Sequence, residues 1–299
     1  MKNSLIILIL LATIIPGCKK SKSSPDSPGQ WTQKASLPFP PGRSGGAGFS
    51  IADKGYFIGG SNDPVYFNDV YEYDSASNSW SQKTSCPGDH LYNPVYFVMN
   101  DKVYIGLGQI ETGFSNQFWE YNPSTDVWTR KSDFPDSSWS PPGPFFAIGQ
   151  YDYLVSILNE CWRYDPSLDK WTKLNNPPAG VNSYAGANFV IGNKGYTGAG
   201  SDGRAFWEYD PQQDTWSRQK DCPGGGLGTS GTSINGLGYF FNYNPYSYRY
   251  DPQKNEWMPV SFFAVRHFGV AFTLQSKIYY AVGGNPWEGL SNEFWEYTP

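Results

Sequence analysis

Phe118-Trp119-Glu120-Tyr121-Asn122-Pro123 recurs as Phe206-Trp207-Glu208-Tyr209-Asp210-Pro211 and again, shortened, as Phe294-Trp295-Glu296-Tyr297. Looser copies read Val70-Tyr71-Glu72-Tyr73-Asp74, Cys161-Trp162-Arg163-Tyr164-Asp165-Pro166 and Tyr248-Arg249-Tyr250-Asp251-Pro252. Aligned on Tyr73, Tyr121, Tyr164, Tyr209, Tyr250 and Tyr297, the copies step by 48, 43, 45, 41 and 47 residues. A second series, Trp31, Trp80, Trp128, Trp171, Trp216 and Trp257, keeps nearly the same rhythm. Two series at such a period mean a repeat architecture.

Working outward from Tyr73, each unit carries four short segments in order. Gly45 to Ile51 is small and apolar, and a turn at Ala52-Asp53-Lys54 leads into Gly55-Tyr56-Phe57-Ile58-Gly59-Gly60. A polar loop precedes Asp69 to Tyr73, and Ser79-Trp80-Ser81-Gln82-Lys83 closes the unit. Aromatic and β-branched runs separated by Gly, Asp, Asn and Pro predict four antiparallel strands. No stretch after residue 30 has a helical period of useful length. The turn between third and fourth strands opens with Asp or Asn, then Pro, at Asn122-Pro123, Asp165-Pro166, Asp210-Pro211 and Asp251-Pro252. There the side chain can accept a backbone N–H while Pro fixes φ, a structural use of an acid. Gly59-Gly60 and Gly283-Gly284 end second strands, with Gly106/Gly108 and Gly198/Gly200 as degenerate copies. No helix or Lys-Ser follows them, which excludes a phosphate loop.

These units resemble the kelch family of β-propellers over residues 31 to 299. The family pattern is a Gly pair, a spaced Tyr and a spaced Trp in each four-stranded blade. Tyr153-Leu154-Val155-Ser156-Ile157-Leu158 and Tyr239-Phe240-Phe241-Asn242-Tyr243 lack the Gly pair, so the third and fifth blades are expected to be atypical, with short second-to-third loops. The resemblance implies an all-β, six-bladed kelch-type propeller. Trp31-Thr32-Gln33-Lys34 reads as a fourth strand with no unit before it, and Tyr297 lies in a third strand with none after it. Joining the two would complete the last blade and close the ring.

Ahead of the repeats, Leu5 to Ile15 is an apolar run too short to span a bilayer, and it has the form of a secretory signal. Pro16-Gly17-Cys18 then resembles a bacterial lipobox. The expected organisation is a signal peptide over 1–17, a lipidated Cys18 with a flexible tether over 18–30, and the propeller over 31–299. An ordinary exported protein cleaved nearby is the alternative. A lipid-anchored propeller of this kind is expected at a bacterial outer membrane, facing the periplasm or the surface.

Net charge is −5, which makes nucleic acid a poor partner. Cys86, Cys161 and Cys222 are odd in number, and only two histidines are present, with no clustered Cys/His spacing. Neither a disulfide between Cys86 and Cys222, a metal site nor any cofactor is expected.

Fourth-to-first and second-to-third loops share one face of a propeller, and that face collects the irregular residues: Arg43, His90, Tyr66, Glu111, Arg266, His267, Trp287 and Glu288. Such a mixture of aromatic and hydrogen-bonding groups suits a glycan, a small sugar or a peptide. Arg43 and Arg266 match in the first and last units and could grip a carboxylate, or could pack structurally beside the channel. His90 and His267 also read as matching positions, either as general bases or as solvated loop residues. Galactose-oxidase-like enzymes need more histidines for copper than this chain has. A distant resemblance to the six-bladed sialic-acid mutarotases would make the arginines the carboxylate clamp, with Glu111, Glu288, His90 or His267 as acid and base. The residues point first to a non-catalytic, monomeric binding propeller held at a membrane by its lipid, recognising a glycan, a small carboxylated sugar or a protein partner. Sugar processing and an envelope scaffold remain the alternatives.

Overall fold

The computed structural model describes residues 29–135, 143–156, 158–181, 186–200, 203–226, 230–241, 247–261, 266–285 and 289–299. Six four-stranded antiparallel sheets stand radially around an axis as the blades of a propeller. Blade 1 runs outward through Ala47–Ile51, Lys54–Ile58, Val70–Asp74 and Ser79–Lys83. Blades 2 to 5 begin with the inner strands Val95–Met99, Phe145–Ile148, Ala187–Ile191 and Ser230–Ile234. Blade 6 consists of Val270–Leu274, Lys277–Ala281 and Phe294–Thr298, and Gln30–Lys34 supplies its outermost strand. Trp31 lies opposite Tyr297 in that pairing, so the ring closes as its sequence implies. Blade 3 crosses from Val155 to Cys161 by a short loop, as expected.

Each Tyr of the first series faces a Trp of the second across the third and fourth strands. All six pairs have ring centroids 4.7–5.0 Å apart. The pair fills the wedge between blades: Tyr73 and Trp80 both meet Phe294 of blade 6, at 4.7 and 5.0 Å. Large aromatic faces suit that wedge, because it widens away from the axis and must stay dry.

The third-to-fourth turns hold an Asp or Asn at each end, in two different uses. The first residue caps its own turn, as Asp165 Oδ1 does for the Ser167 amide (2.9 Å) and Asp210 Oδ1 for Gln212 (2.9 Å). The last residue adopts a left-handed φ of 49–56° at Asn78, Asp126, Asp169, Asp214 and Asn255, and acts across the seam. Its side chain accepts the Tyr hydroxyl of its own blade and a backbone amide of the preceding one. Tyr164 Oη and the Ser132 amide converge on Asp169 Oδ1 at 2.6 and 2.9 Å. The carbonyl of the same Ser132 accepts the Trp171 indole N–H at 3.1 Å. Ala35, Thr84 and Lys220 are held in the same two-point way. Between blades 3 and 4 the clasp is incomplete, because the buried Trp216 indole nitrogen has no partner. Blade 6 has no third-to-fourth turn; Gly29 brings its backbone to the Tyr297 hydroxyl instead.

At the axis the inner strands line a cavity of about 300 Å³. Among the described residues, no charged side chain lines it. Side chains of these strands point sideways at the neighbouring blades, so the strand edges face the channel. Around it a second set of bonds runs with one hand, each side chain reaching back to the inner edge of the blade before it. Ser50 Oγ donates to Thr273 O (2.6 Å), Tyr96 Oη to Gly48 O (3.0 Å) and Asn188 Nδ2 to Phe145 O (2.9 Å). Ser233 Oγ donates to Val190 O (2.6 Å) and Thr273 Oγ1 to Ser233 O (2.9 Å).

The glycine pairs align differently from their sequence reading. Bridges Ser44–Ser61 and His267–Gly284 set Gly283 against Gly60, not against Gly59. The column of Gly59 (φ 70°) is filled by Leu107, Ala199 and Val282 at φ 55–57°. A left-handed residue is required there in every one of these blades, and only blade 1 meets it with glycine.

Candidate functional site

Fourth-to-first loops cross over the second-to-third hairpins of their own blades, as the bridges Ser44–Ser61, Tyr92–Gln109 and His267–Gly284 record. The two loop sets therefore share one face, and blades 6, 1 and 2 form a continuous part of it. The Gly45 amide donates to Phe268 O (2.9 Å) and the Asn93 amide to Gly45 O (2.6 Å), passing from blade to blade.

Arg43 is only 4% exposed. Its guanidinium makes a two-pronged contact with Asp69, Nη2 lying 2.8 Å from Oδ2, and Nη1 also donates to Gly59 O (3.1 Å). The rings of Phe39 and Phe67 lie 4.0 and 3.6 Å from its Cζ. Arg266 is 7% exposed and paired with Glu293, while its Nη1 has no hydrogen-bond partner. Burial raises the Glu293 carboxyl, but the bonds from Arg266 and Trp295 outweigh it and hold the group below its ordinary range. The two arginines do match between blades 1 and 6, yet each faces an acid of its own blade. Their acids follow at 26 and 27 residues, and where blade 2 has Leu91 in the arginine column, Gln117 takes the acid's place. That spacing within the repeat is legible in the sequence itself.

The histidines do not match. His267 bridges Gly284 as Tyr92 bridges Gln109, so its counterpart in blade 2 is Tyr92, and His90 lies two residues earlier. His90 is exposed in its loop, and Glu111 is exposed at the tip of the hairpin Gln109–Ile110/Gly113–Phe114. Trp287, Glu288 and Cys18 lie outside the described residues.

Tyr66 joins a group that sequence reading missed. Its ring meets Tyr92 edge-on at 6.1 Å, and Tyr92 meets Phe268 at 5.8 Å. Gln109 Nε2 reaches the Tyr66 hydroxyl at 3.4 Å. Gly45 permits this file: a Cβ there would lie 2.2 Å from the Tyr92 ring, and its φ is +63°. Phe268 holds a left-handed φ of 54° in the same column, a conformation bulky residues seldom keep.

Residues 43–87, which span blade 1, match the Kelch motif. No curated protein sequence matches the chain significantly. Among solved structures, the chain is similar to that titled "Structure of YjhT", with a TM-score of 0.72 at 15% identity, over 86% of this chain and 95% of that one. At that identity the likeness concerns the fold. Ring closure and this similarity give the protein the fold of a six-bladed β-propeller, with the Kelch motif matched in its first blade.

Proposed function

We propose that the chain is a binding propeller whose loop face, over blades 6, 1 and 2, recognises a glycan or a protein partner without chemistry. One observation carries this reading: Arg43 and Arg266 are buried against Asp69 and Glu293, so the loop face of blades 6, 1 and 2 offers rings and hydrogen-bonding groups where these guanidinium groups are already paired. Rings such as Tyr66, Tyr92 and Phe268 can cover the apolar face of a sugar or a partner's side chain, while Gln109 and the Tyr66 hydroxyl fix its orientation. Glycan-array and pull-down binding by the propeller, repeated with Tyr66→Ala, tests it. Saturable binding of a neutral glycan or a protein, weakened by the substitution, is expected. Binding confined to N-acetylneuraminate and indifferent to Tyr66 overturns it.

The six-bladed ring, alike in fold to YjhT, favours a second reading: sugar processing of the sialic-acid mutarotase type. Glu111, Glu288, His90 and His267 would then supply acid and base, and the sugar carboxylate would have to be met by groups other than the buried Arg43. Faster equilibration of N-acetylneuraminate anomers in an NMR time course would establish it. An outer-membrane position through Cys18 belongs to either reading and is checked by fatty-acid labelling of the chain against Cys18→Ser.

A further inference from the structure

Among the described residues, five of the six channel seams are stitched by a side chain that bonds the edge carbonyl of the preceding blade. The seam between blades 3 and 2 is the exception. Blade 3 brings Phe145 and Ala147 to those positions, and neither carries a donor.

Behind Ala147, on the same face of the sheet, stands Asp152. It pairs with Ala147 on one side and Tyr164 on the other. The residues that pair with the equivalent tyrosines in the other blades are Gly55, Val103, Gly195, Gly238 and Ile278. That column looks onto the inner aromatic of the preceding blade. A Cβ on Gly195 would lie 2.7 Å from the Phe146 ring, and one on Gly238 2.1 Å from Phe189. For Asp152 the corresponding ring is Phe97 of blade 2. Asp152 is 0% exposed, and neither of its carboxylate oxygens has a hydrogen-bond partner.

Nothing charged faces it from the inner strands of either blade. From the second strand of blade 2 comes Tyr104, beside the Lys102–Glu120 pair (2.6 Å), with Lys131 3.9 Å from Glu120. From the third strand of blade 3 comes Tyr164, whose hydroxyl is held by Asp169. These neighbours are neutral phenols, or lysines and carboxylates already engaged with other partners. Burial accordingly pushes the Asp152 carboxyl well above its usual range.

We propose that the blade 2–3 seam is a pH-responsive joint, closed while Asp152 is protonated and parted on its channel side when that carboxyl releases its proton to solvent. A neutral carboxyl can stay in the dry seam, but an unpaired carboxylate there must be hydrated. Water enters with least disruption where no inner stitch has to break. The outer half stays shut, since Asp169 and Trp171 still clasp Ser132 at 2.9 and 3.1 Å.

Hydrogen exchange on the full chain, from mildly acidic to alkaline pH, tests the joint. Peptides covering 95–99 and 145–155 are compared with 47–58 of blade 1 as an internal reference for intrinsic exchange. Between the ordinary 3.8 of a hydrated carboxyl and the raised folded value of Asp152, the seam peptides should lose protection relative to the reference by about tenfold per unit of pH, the slope of one-proton linkage, and the difference should level off above the folded value. Asp152→Asn and Asp152→Gly should abolish that difference. Glycine already fills the column in blades 1, 4 and 5, so at least this variant should fold. Seam peptides that follow blade 1 at every pH, or the same divergence in both variants, overturn the proposal.

Discussion

The backbone amide of Thr84, at the end of blade 1, donates to the carboxylate of Asp126 in blade 2 at 3.1 Å. The same carboxylate also accepts the Thr84 hydroxyl (2.9 Å) and the Tyr121 hydroxyl (2.6 Å), and the Trp128 indole takes the Thr84 carbonyl (2.9 Å). One side chain thus joins two blades and satisfies a phenol that is fully buried. The blades meet through specific polar clasps at the rim as well as through aromatic packing.

Removing that clasp should be costly. Asp126→Ala strands the Tyr121 hydroxyl and the Thr84 amide, and we expect a loss of about 2 kcal/mol in denaturant unfolding. Asp126→Asn should lose less, because Asn78 and Asn255 do the same work in blades 1 and 5. Asp53→Ala, at an exposed turn, is the control and should be near neutral.

Acid should loosen the rim before the channel. At Asp126 and Asp169 burial opposes ionisation, but the Tyr and backbone donors outweigh it and lower both carboxyls below their ordinary 3.8. Their stabilisation is therefore fully present above pH 3.8 and is lost as pH falls through the lowered folded values. Denaturant midpoints measured against pH should drop in this window for the native chain, and less steeply for Asp126→Asn/Asp169→Asn. Asp152 has the opposite sign, since its raised carboxyl costs stability as pH rises above 3.8. The two effects separate along the pH axis.

Arg43 and Asp69 should behave as a structural unit. Truncating Arg43 leaves Asp69 uncompensated beside two exposed ring faces, and we expect Arg43→Ala to destabilise by about 3–5 kcal/mol. The double variant Arg43→Ala/Asp69→Ala should recover part of that loss in guanidinium unfolding. If Arg43→Ala left stability unchanged, the arginine would be free for a ligand after all.

Much of this molecule could be read from one string of letters, because each blade repeats the last. Tyr73 with Trp80, and their five counterparts, marked the third and fourth strands of every blade. The seam Asp and Asn residues were equally visible, five residues after five of the tyrosines at Asn78, Asp126, Asp169, Asp214 and Asn255, but a turn rule explains the turn's opening residue and is silent about its last. The partners of the two arginines were hidden for a related reason: matching Arg43 to Arg266 looks along the repeat, whereas Asp69 and Glu293 lie within it. Loop residues resisted most. His90 and His267 share a residue type near the same place, and only the strand bridges reveal that they occupy different columns.

The closing strand also gives the disc a front and a back. Gln30 pairs with Thr298, so the chain enters blade 6 at the end of the sheet where the other blades make their third-to-fourth turns. The loop face carrying Tyr66, Tyr92 and Phe268 lies at the opposite end. The first described strand therefore starts at the edge of the disc, on the side away from the loop face.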